Sequence, residues 1–347
     1  MPEYIPREKN VIQKIFQDHF SDFEQQYDDH YAQRYGKFRI IRIKEAVEKF
    51  LECGDYTKEV ARIKCTNKDC KYEYFRPFVA SLKVACKSWY LCPSCNQKRL
   101  QLFAEHLSEN VLLKLPHRQF VFTIPKLLRI YFRNDRNLFT DVSKIIFSII
   151  TDYYNEAFTK VVKTGAIVSY QTYGDMMRHN PHWHCIILEG GIDEKGSFHH
   201  IPIKDTSRLI EVFRRRVIQL FVEKGFLQKS FAMKLLCWKH SGFSVDNSVG
   251  IPAASKKARV NLSQYIIRQL VSLKKIMYIK EKANVLYHTK YNDYWKENIK
   301  LFKATDFIAE STQHIPQKHK HLIRYHGLYS SRTKGKSAKD GSLARFG

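Results

Sequence analysis

Long apolar runs are missing from this 347-residue sequence, and so is the pattern of a secretion signal. No stretch approaches the ~18 consecutive apolar residues of a membrane-spanning helix. The first ten residues, MPEYIPREKN, lack the basic and then apolar segments with which a signal peptide begins. A phosphate-binding loop of the form G-x4-G-K-S/T is also missing, which argues against a requirement for ATP. We therefore expect a cytoplasmic protein with no membrane segment.

Acidic side chains are outnumbered by basic ones, 34 to 59, which gives a formal net charge of +25. The imbalance is uneven, because residues 1–60 carry 10 basic and 12 acidic side chains and the whole positive excess lies beyond them. A field of this size attracts polyanions, and nucleic acid is the first candidate partner. Aromatic residues, 14% of the chain, suit stacking on unpaired bases but suit protein cores equally well.

Cysteine is present in an unusual arrangement. The reducing environment of a cytoplasm disfavours a disulfide framework for the eight cysteines. Six of them fall within 43 residues, at Cys53, Cys65, Cys70, Cys86, Cys92 and Cys95. Such density is typical of a metal-binding module. Cys185 and Cys237 stand apart, and we predict that each is a small buried apolar residue.

Two short cysteine knuckles define the predicted zinc site. The motif CPSC at residues 92–95 brings two thiolates close enough to bind one ion, and CTNKDC at residues 65–70 is a longer version of the same turn. The predicted ligands of one tetrahedral Zn2+ are Cys65, Cys70, Cys92 and Cys95. Two alternatives stay open for Cys53 and Cys86: a second site completed by a histidine, or replacement of one of the four. We expect the zinc to be structural, because a closed four-thiolate site has no open position for chemistry.

The pattern of the chain predicts four consecutive segments. These are a helical lead-in (1–52), the zinc-binding module (53–105), a domain of strands and helices (106–312) and a basic tail with a flexible end (313–347). Apolar runs bounded by turn residues predict short strands at 118–125, 166–173 and 182–189. Apolar residues at helical spacing predict helices at 141–162, 205–224 and 261–277. The predicted fold class is α+β.

Two histidines flank a tryptophan on the third predicted strand. His182 and His184 project to one face of this strand, while Trp183 and Cys185 project to the other, because successive side chains alternate. Two imidazoles that leave one buried strand at this spacing can bind one divalent ion. The histidines at 199–200 and 319–321 have no such context, since they lie outside apolar strands.

A tyrosine on the predicted helix 261–277 is a candidate nucleophile. The apolar stripe of this helix consists of Ile266, Leu270, Leu273 and Met277. Tyr265 and Gln269 stand at i and i+4 on a neighbouring face, with Arg268 beside them. A phenol next to an amide that can bind metal, flanked by a basic side chain, suits attack on a phosphate. The alternative interpretation of Tyr265 is a packed aromatic residue.

The order of these motifs resembles that of one enzyme family. A cysteine module ending in C-x5-CPSC is followed by a strand, a turn and the triplet His182-Trp183-His184, then by the Tyr265 helix and by RYHG at residues 324–327. This order is similar to that of the rolling-circle insertion-sequence transposases of the HUH class, in which U is an apolar residue. Within the class, the sequence most resembles the insertion-sequence common-region (ISCR) type, which has an N-terminal zinc-binding domain. The likeness runs from about residue 20 to residue 330.

The resemblance implies a metal-dependent single-stranded DNA endonuclease and strand transferase. Its fold would be a ferredoxin-like antiparallel sheet with helices on one face. By position, His182 and His184 match the ligands of a catalytic Mg2+ or Mn2+, and Tyr265 matches the tyrosine that forms a 5'-phosphotyrosine intermediate. Two-tyrosine relatives carry a second tyrosine where this chain has Gln269, so the resemblance implies a single-tyrosine enzyme with Gln269 as third metal ligand. Gln171, on the neighbouring strand, is the rival third ligand.

Basic side chains are the expected contacts to single-stranded DNA at element ends and target. The candidates are Arg214, Arg215 and Arg216 on the predicted helix 205–224, and Arg268 beside the tyrosine. A replication initiator or relaxase would use the same chemistry, whereas a non-catalytic, zinc-containing DNA-binding regulator would need neither the tyrosine nor the histidines. A metallohydrolase would need further ligands on later strands, and no such ordered set is evident in the sequence. The sequence specifies no oligomeric state.

Overall fold

The computed structural model describes residues 9–55, 60–77, 86, 88, 90–158, 161–267, 270–293 and 296–346. Its α-helices are α1 (Val11–Gln25), α2 (Ala32–Tyr35), α3 (Arg39–Leu51), α4 (Pro93–His106), α5 (Lys126–Arg129), α6 (Tyr131–Asn134), α7 (Leu138–Phe158), α8 (Ser207–Glu223), α9 (Lys229–Cys237), α10 (Lys256–Tyr265), α11 (Ala304–Thr312) and α12 (Ser331–Asp340). None of the helices in these ranges is long and apolar enough to cross a membrane.

The described strands have between two and ten residues. They are β1 (Val60–Lys64), β2 (Glu73–Pro77), β3 (His117–Thr123), β4 (Gly165–Tyr173), β5 (His179–Leu188), β6 (Gly190–Ile192), β7 (Phe198–His200), β8 (Ser244–Asp246), β9 (Gly250–Ile251), β10 (Ile276–Ile279), β11 (Asn284–Asn292), β12 (Glu297–Lys303) and β13 (Ile323–Gly327). Single π-helical turns follow α1 and α4, at Tyr27–Tyr31 and Leu107–Val111.

The chain forms two compact units, each assembled from separated stretches. Unit 1 contains Met1–Arg99, Tyr173–Arg178 and Gln269–His319, and unit 2 contains Leu100–Thr172, His179–Arg268 and Lys320–Gly347. The sequence-based boundaries differ, because they keep residues 106–312 in one domain. The physical reason is that the apolar residues between 269 and 319 complete the core of the N-terminal helices.

Unit 1 has a core formed by α1, α3, α11 and one face of the antiparallel sheet β10–β11–β12. Helical spacing places Ile12, Ile15 and Phe16 on one side of α1, where they are buried in the same apolar cluster as Phe307 and Ile308 of α11. Helices α1 and α3 lie within the predicted helical lead-in (1–52).

Unit 2 is built on a sheet with the strand order β13–β4–β5–β3–β8, and β9 pairs with the start of β3. The strands predicted at 118–125, 166–173 and 182–189 are confirmed as β3, β4 and β5, with boundaries shifted by at most three residues. Strand pairs β13–β4, β5–β3 and β3–β8 are antiparallel. The α+β class is confirmed.

Each face of this sheet has its own apolar core. Helices α7, α8 and α9 cover one face, where they pack on Phe120, Phe122 and Trp183. The layer of helices predicted for one face is therefore present. The other face is partly covered as well, because Ile186 and Leu188 of β5 join a second cluster with residues of α10 and of the turn after α4.

The predicted basic tail (313–347) is divided between the units, with residues up to His319 in unit 1 and Lys320–Gly347 in unit 2, and its described residues include a strand and a helix. Ile323–Gly327 form β13, which pairs with β4 at the edge of the sheet, and Ser331–Asp340 form α12. The RYHG motif thus lies in an edge strand. Net charge describes the surface of a segment and gives no information about strand pairing, which is why the sequence analysis did not predict this strand.

The helix predicted at 261–277 was also wrong in its extent. Helix α10 ends at Tyr265, and the strand β10 starts at Ile276. The predicted apolar stripe is divided between two cores, since Ile266 is buried in unit 2 and Leu270 in unit 1. Tertiary packing therefore overrides the helical periodicity of this stretch.

Gly327, the last residue of β13, occupies a position where only glycine fits. Its φ is +57°, and a Cβ would lie 2.1 Å from the Thr164 carbonyl oxygen and 2.7 Å from the Phe147 ring. We expect Gly327→Ala to lower the free energy of unfolding by roughly 2–4 kcal/mol, because left-handed strain adds to a backbone clash. Urea denaturation measures this, with Gly335→Ala on α12 as control, since nothing lies within 4 Å of a Cβ there. Equal midpoints for the two variants would contradict the prediction.

Candidate functional site

The histidine pair lies on the middle strand of the sheet of unit 2. The register of β5 and β3 sets Thr123 opposite His182 and Val121 opposite His184. Trp183 is fully buried on the other face, and its indole Nε1 donates a hydrogen bond of 3.2 Å to the Phe139 carbonyl oxygen. The prediction that the two histidines share one face is confirmed, and the buried tryptophan between them fixes the direction of both imidazoles.

The two imidazoles converge on one point. The Nε2 atoms of His182 and His184 are 3.0 Å apart, and the ring planes meet at 75°. The Nδ1 atom of His182 lies 2.7 Å from the Asn180 carbonyl oxygen, which can only accept, so this nitrogen carries the proton and Nε2 presents its lone pair. Two ligands at right angles, each roughly 2.1 Å from an octahedral ion, are about 3.0 Å apart. The pair therefore fits one divalent ion.

Burial favours the neutral, metal-binding form of His182. Desolvation lowers the pKa of His182, and the positive charge of Arg129 lowers it further, against the opposing effect of the hydrogen bond to Asn180. His184 is only 5% exposed. Neutral imidazole is the form that ligates a cation, so the environment of the strand favours metal binding at neutral pH.

Arg129 is a cation at this site that the sequence analysis missed. It lies on α5, directly after β3, and its Nε donates a hydrogen bond of 3.1 Å to the Ile124 carbonyl oxygen. Its own carbonyl oxygen lies 3.3 Å from Nε2 of His179, the first residue of β5. No motif marks the stretch KLLR. The only available signal was its position just after the strand that pairs with the histidine strand.

Tyr265 lies beside the histidine pair. It is the last residue of α10, and its ring centroid is 5.1 Å from that of His184, with the ring planes at 88°. Leu262 and Ile266 of the same segment are buried in the cluster that covers this face of the sheet, which holds the end of α10 against the strand. Tyr265 is 42% exposed, so part of this residue is in contact with solvent.

Of the two candidate third ligands, only Gln171 can be placed. It is on β4, four residues after Ile167, which is buried in the apolar cluster on the histidine face of the sheet. Because every second side chain of a strand lies on the same face, Gln171 lies on the face of the histidines. Its Nε2 donates a hydrogen bond of 3.3 Å to the carbonyl oxygen of Ile266, the residue after the tyrosine. This contact leaves the amide oxygen available as an acceptor. Gln269 lies outside the described residues.

Four cysteines of unit 1 form a compact cluster. The sulfur atoms of Cys53, Cys86, Cys92 and Cys95 all lie within 4.8 Å of one another. Individual separations are 3.7 Å for Cys53–Cys92, 3.6 Å for Cys53–Cys95 and 3.4 Å for Cys86–Cys95. Tetrahedral zinc with Zn–S bonds of about 2.3 Å holds its sulfurs roughly 3.8 Å apart. The cluster therefore fits one Zn2+.

Local structure around these cysteines favours thiolates. The CPSC motif (92–95) straddles the start of α4, where Pro93 is the first helical residue and the positive end of the helix dipole lies close to both sulfurs. The backbone N–H of Ser88 donates to the sulfur of Cys86 at 3.4 Å. Such contacts stabilise the charged sulfurs of a closed zinc site.

The ligand set differs from the first choice made from the sequence. The structure groups the CPSC cysteines with Cys53 and Cys86 and not with Cys65 and Cys70, so two of the four predicted ligands are exchanged, where the alternative from the sequence exchanged one. Cys65 and Cys70 lie where the β1–β2 hairpin turns, with Cys65 exposed. Spacing alone could not distinguish the pairs, because any two of six nearby cysteines can meet when the intervening chain forms a loop.

The prediction that both isolated cysteines are buried is confirmed for one of them and wrong for the other. Cys185 is fully buried in the main core of unit 2, as predicted. Cys237 is exposed at the end of α9, so the prediction of a buried residue was wrong there.

Arg214 is not placed to contact DNA. It is 8% exposed, and its Nη2 donates to the carbonyl oxygens of Leu235 and Trp238 at 2.5 and 3.1 Å, at the C-terminal end of α9. It therefore caps a neighbouring helix, a role that a run of three arginines does not reveal.

The other candidate arginines remain on the surface or outside the described residues. Arg215 forms an ion pair of 2.6 Å with Glu211 one turn away on α8, and Arg216 forms one of 2.6 Å with Asp152 of α7. Exposed pairs of this kind are weak and can exchange with phosphate. Arg268 lies outside the described residues.

Comparison with known proteins identifies the family. Residues 165–337 match the family model described as "Putative transposase", and residues 15–124 match the model described as "Transposase zinc-binding domain". The chain belongs to this transposase family. The transposase is also 25% identical over 323 residues to the transposase for insertion sequence element IS801 of Pseudomonas savastanoi pv. phaseolicola, which covers 86% of this chain and 73% of the relative. No solved structure matches the transposase.

The two matched ranges contain the two side-chain clusters of the transposase. The zinc-binding range includes all four clustered cysteines, and the other range includes Gln171, His182, His184 and Tyr265. The family resemblance drawn from the sequence is confirmed. The zinc-binding description and the cysteine geometry agree on a structural zinc site.

Proposed function

We propose that this transposase cuts and rejoins single-stranded DNA through a covalent 5'-phosphotyrosine intermediate on Tyr265. The observation that supports this most directly is the convergence of His182, His184 and Tyr265 at one point on the sheet. The Nε2 atoms of the histidines are 3.0 Å apart, and the tyrosine ring is 5.1 Å from the His184 ring. A phenol, two neutral imidazoles and an open approach are what nucleophilic attack on a phosphodiester requires.

His182 and His184 would hold a Mg2+ or Mn2+ through Nε2, with the amide oxygen of Gln171 or Gln269 as third protein ligand. When bound, the ion would neutralise charge that develops on the phosphate oxygens. Both imidazoles are fixed by the buried strand, so little ordering is needed when the ion binds. The guanidinium of Arg129, whose charge reaches His182, would add a positive charge on the same side of the phosphate.

Tyr265 supplies the bond-forming atom. Its phenol oxygen attacks phosphorus and loses its proton to water, the bond from phosphorus to the 3' oxygen breaks, and the departing oxygen takes up a proton. The products are a 5'-phosphotyrosine and a free 3'-hydroxyl. One phosphodiester replaces another, so the 3'-hydroxyl of a second strand can reverse the step and release the tyrosine. This conservation of bonds makes ATP unnecessary, in agreement with the missing phosphate-binding loop.

Transposition is the favoured outcome of this chemistry because the chain belongs to a transposase family. A replication initiator or relaxase would use the same residues, and only the DNA that is recognised would distinguish it. The decisive test is incubation with single-stranded oligonucleotides from the ends of the element and Mn2+. A 3'-end label should appear on a protein adduct, and a 5'-end label should appear on a shortened strand with a free 3'-hydroxyl. The opposite distribution of labels would contradict the proposed polarity.

His184→Ala is expected to lower the rate of cleavage roughly 10^2- to 10^3-fold in this assay, because the ion loses one of its two histidine ligands. DNA affinity at moderate salt should change little, because it depends on many phosphate contacts. His240→Ala is the matched control, since this histidine is exposed and lies away from the strand pair in sequence. Cleavage by His184→Ala at the rate of the control would refute the assignment of the metal ligand.

A further inference from the structure

The β1–β2 hairpin of unit 1 has no apolar core of its own. Its strands pair antiparallel from Val60 opposite Pro77 to Lys64 opposite Glu73. None of its described side chains is fully buried, and none belongs to the apolar clusters that form the cores. A two-stranded hairpin with both faces in water is marginally stable by itself. Within the part of the chain that the structure describes, its apolar side chains Ile63, Tyr72 and Tyr74 are therefore exposed.

One face of the hairpin presents two tyrosines. Ile63 is opposite Tyr74, and the backbone N–H of Cys65 donates to the Tyr72 carbonyl oxygen, which continues the register. Residues opposite each other share a face, so Ile63, Cys65, Tyr72 and Tyr74 lie side by side. The rings of Tyr72 and Tyr74 have centroids 6.0 Å apart at 48°, and these residues are 68% and 37% exposed.

The hairpin is also basic. Residues 60–77 include five Lys or Arg and two acidic side chains. One of the acidic groups, Glu73, is neutralised by Arg62, whose Nε and Nη2 lie 3.0 and 2.6 Å from a carboxylate oxygen. Lys68 and Lys71, in the turn, are exposed. The surface thus combines positive charge with aromatic rings, which is the combination that binds unpaired nucleic acid.

We infer that the face formed by Ile63, Tyr72 and Tyr74, which we call the tyrosine face, binds single-stranded DNA by base stacking. The inference rests on the proposed function for the presence of single-stranded DNA. Bases in a duplex are stacked on each other and expose only their edges, so tyrosine rings on a strand surface can stack only on unpaired bases. Lys68 and Lys71, in the turn of the hairpin, fit the phosphate backbone, and the net positive charge of the hairpin disfavours a second copy of the same face.

A comparison of two double variants tests stacking directly. Tyr72→Leu/Tyr74→Leu removes the rings but keeps apolar volume, whereas Tyr72→Phe/Tyr74→Phe keeps the rings. We expect the leucine variant to bind a labelled single-stranded oligonucleotide at least tenfold more weakly in fluorescence anisotropy, and the phenylalanine variant to bind within about twofold of wild type. Phe38→Leu is the control, because Phe38 is 81% exposed elsewhere in unit 1. Equal affinities of the two double variants would overturn the inference, and so would an equal loss of duplex binding.

Thiol footprinting gives a second, independent measurement. Cys65 lies on the tyrosine face and is exposed, and Cys237 is exposed in unit 2. Saturating single-stranded DNA should slow the alkylation of Cys65 at least fivefold and leave the rate at Cys237 unchanged. An unchanged rate at Cys65, or equal slowing at both cysteines, would overturn the assignment of the site.

These binding measurements are separable from the proposed chemistry. They are made without added Mg2+ or Mn2+ and require no cleavage. They therefore report DNA binding by the hairpin, whichever residue is the nucleophile. Failure of the proposed function would appear as a missing adduct while the leucine variant still lost binding. Failure of the present inference would appear as unaltered binding by the leucine variant while the adduct still formed.

Discussion

Tyr265→Phe is expected to eliminate the covalent protein–DNA adduct completely. The substitution removes only the phenol oxygen, which is the atom proposed to attack phosphorus. The ring remains, so its edge-to-face contact with His184 and the end of α10 should be preserved. If Tyr265 were only a packed aromatic residue, the loss of one hydroxyl would cost at most a hydrogen bond of about 1 kcal/mol, and activity would be nearly intact. The first interpretation therefore predicts no adduct for Tyr265→Phe, and the second predicts a nearly normal amount.

The adduct assay with a 3'-end label measures this prediction, and peptide mapping of the wild-type adduct locates the modified residue. Tyr291→Phe is a suitable control, because Tyr291 is 58% exposed on β11 of unit 1 and lies far from Tyr265 in sequence. Zinc content and circular dichroism should be identical in both variants. An adduct on another tyrosine, or full activity of Tyr265→Phe, would show that the nucleophile has been misassigned.

Cys53→Ser is expected to release the zinc and unfold much of unit 1. Binding of structural zinc contributes on the order of 10 kcal/mol to the folding of small cysteine-rich modules. The cluster joins Cys53, two residues after the end of α3, to the start of α4, so its loss would free both segments. Cys65→Ser should instead retain one zinc per chain, because Cys65 is outside the four-sulfur cluster.

Metal analysis and thermal denaturation of the two variants distinguish the ligand sets. Zinc loss from Cys65→Ser together with zinc retention in Cys53→Ser would restore the set first predicted from spacing. Removal of zinc from the wild-type protein by a chelator should reproduce the unfolding of Cys53→Ser. It should leave the helices of unit 2, which contain none of the four cysteines, largely intact.

The histidine strand could be predicted from sequence because its information is local. Alternation assigns Trp183 and Cys185 to the core and the two histidines to the opposite face, and the apolar residues that follow mark the strand as buried. The prediction needed no knowledge of distant contacts. The same holds for α7 and α8, whose apolar spacing gave their positions to within a few residues.

The positions that could not be predicted depend on distant parts of the chain. Cys53 joins the zinc cluster because α3 ends beside residues more than thirty positions away, and spacing cannot encode that meeting. Arg214 looks like part of a basic run, but its role is set by the end of α9, to which it donates. Helix α10 ends early because the apolar residues that follow Tyr265 belong to two different cores.

The discontinuity of unit 1 has a consequence for synthesis on the ribosome. Its core requires α11, yet α1, α3 and all four clustered cysteines precede residue 100. The 224 residues that separate Cys95 from His319, the last residue of unit 1, take on the order of 10–45 s to translate at ~5–20 residues per second. During this interval the nascent chain can bind zinc, but the apolar sides of α1 and α3 cannot yet pack on α11, which has not been synthesised. The supply of zinc and the rate of translation therefore both affect the same folding intermediate, a nascent chain that contains the four cysteines but not yet α11.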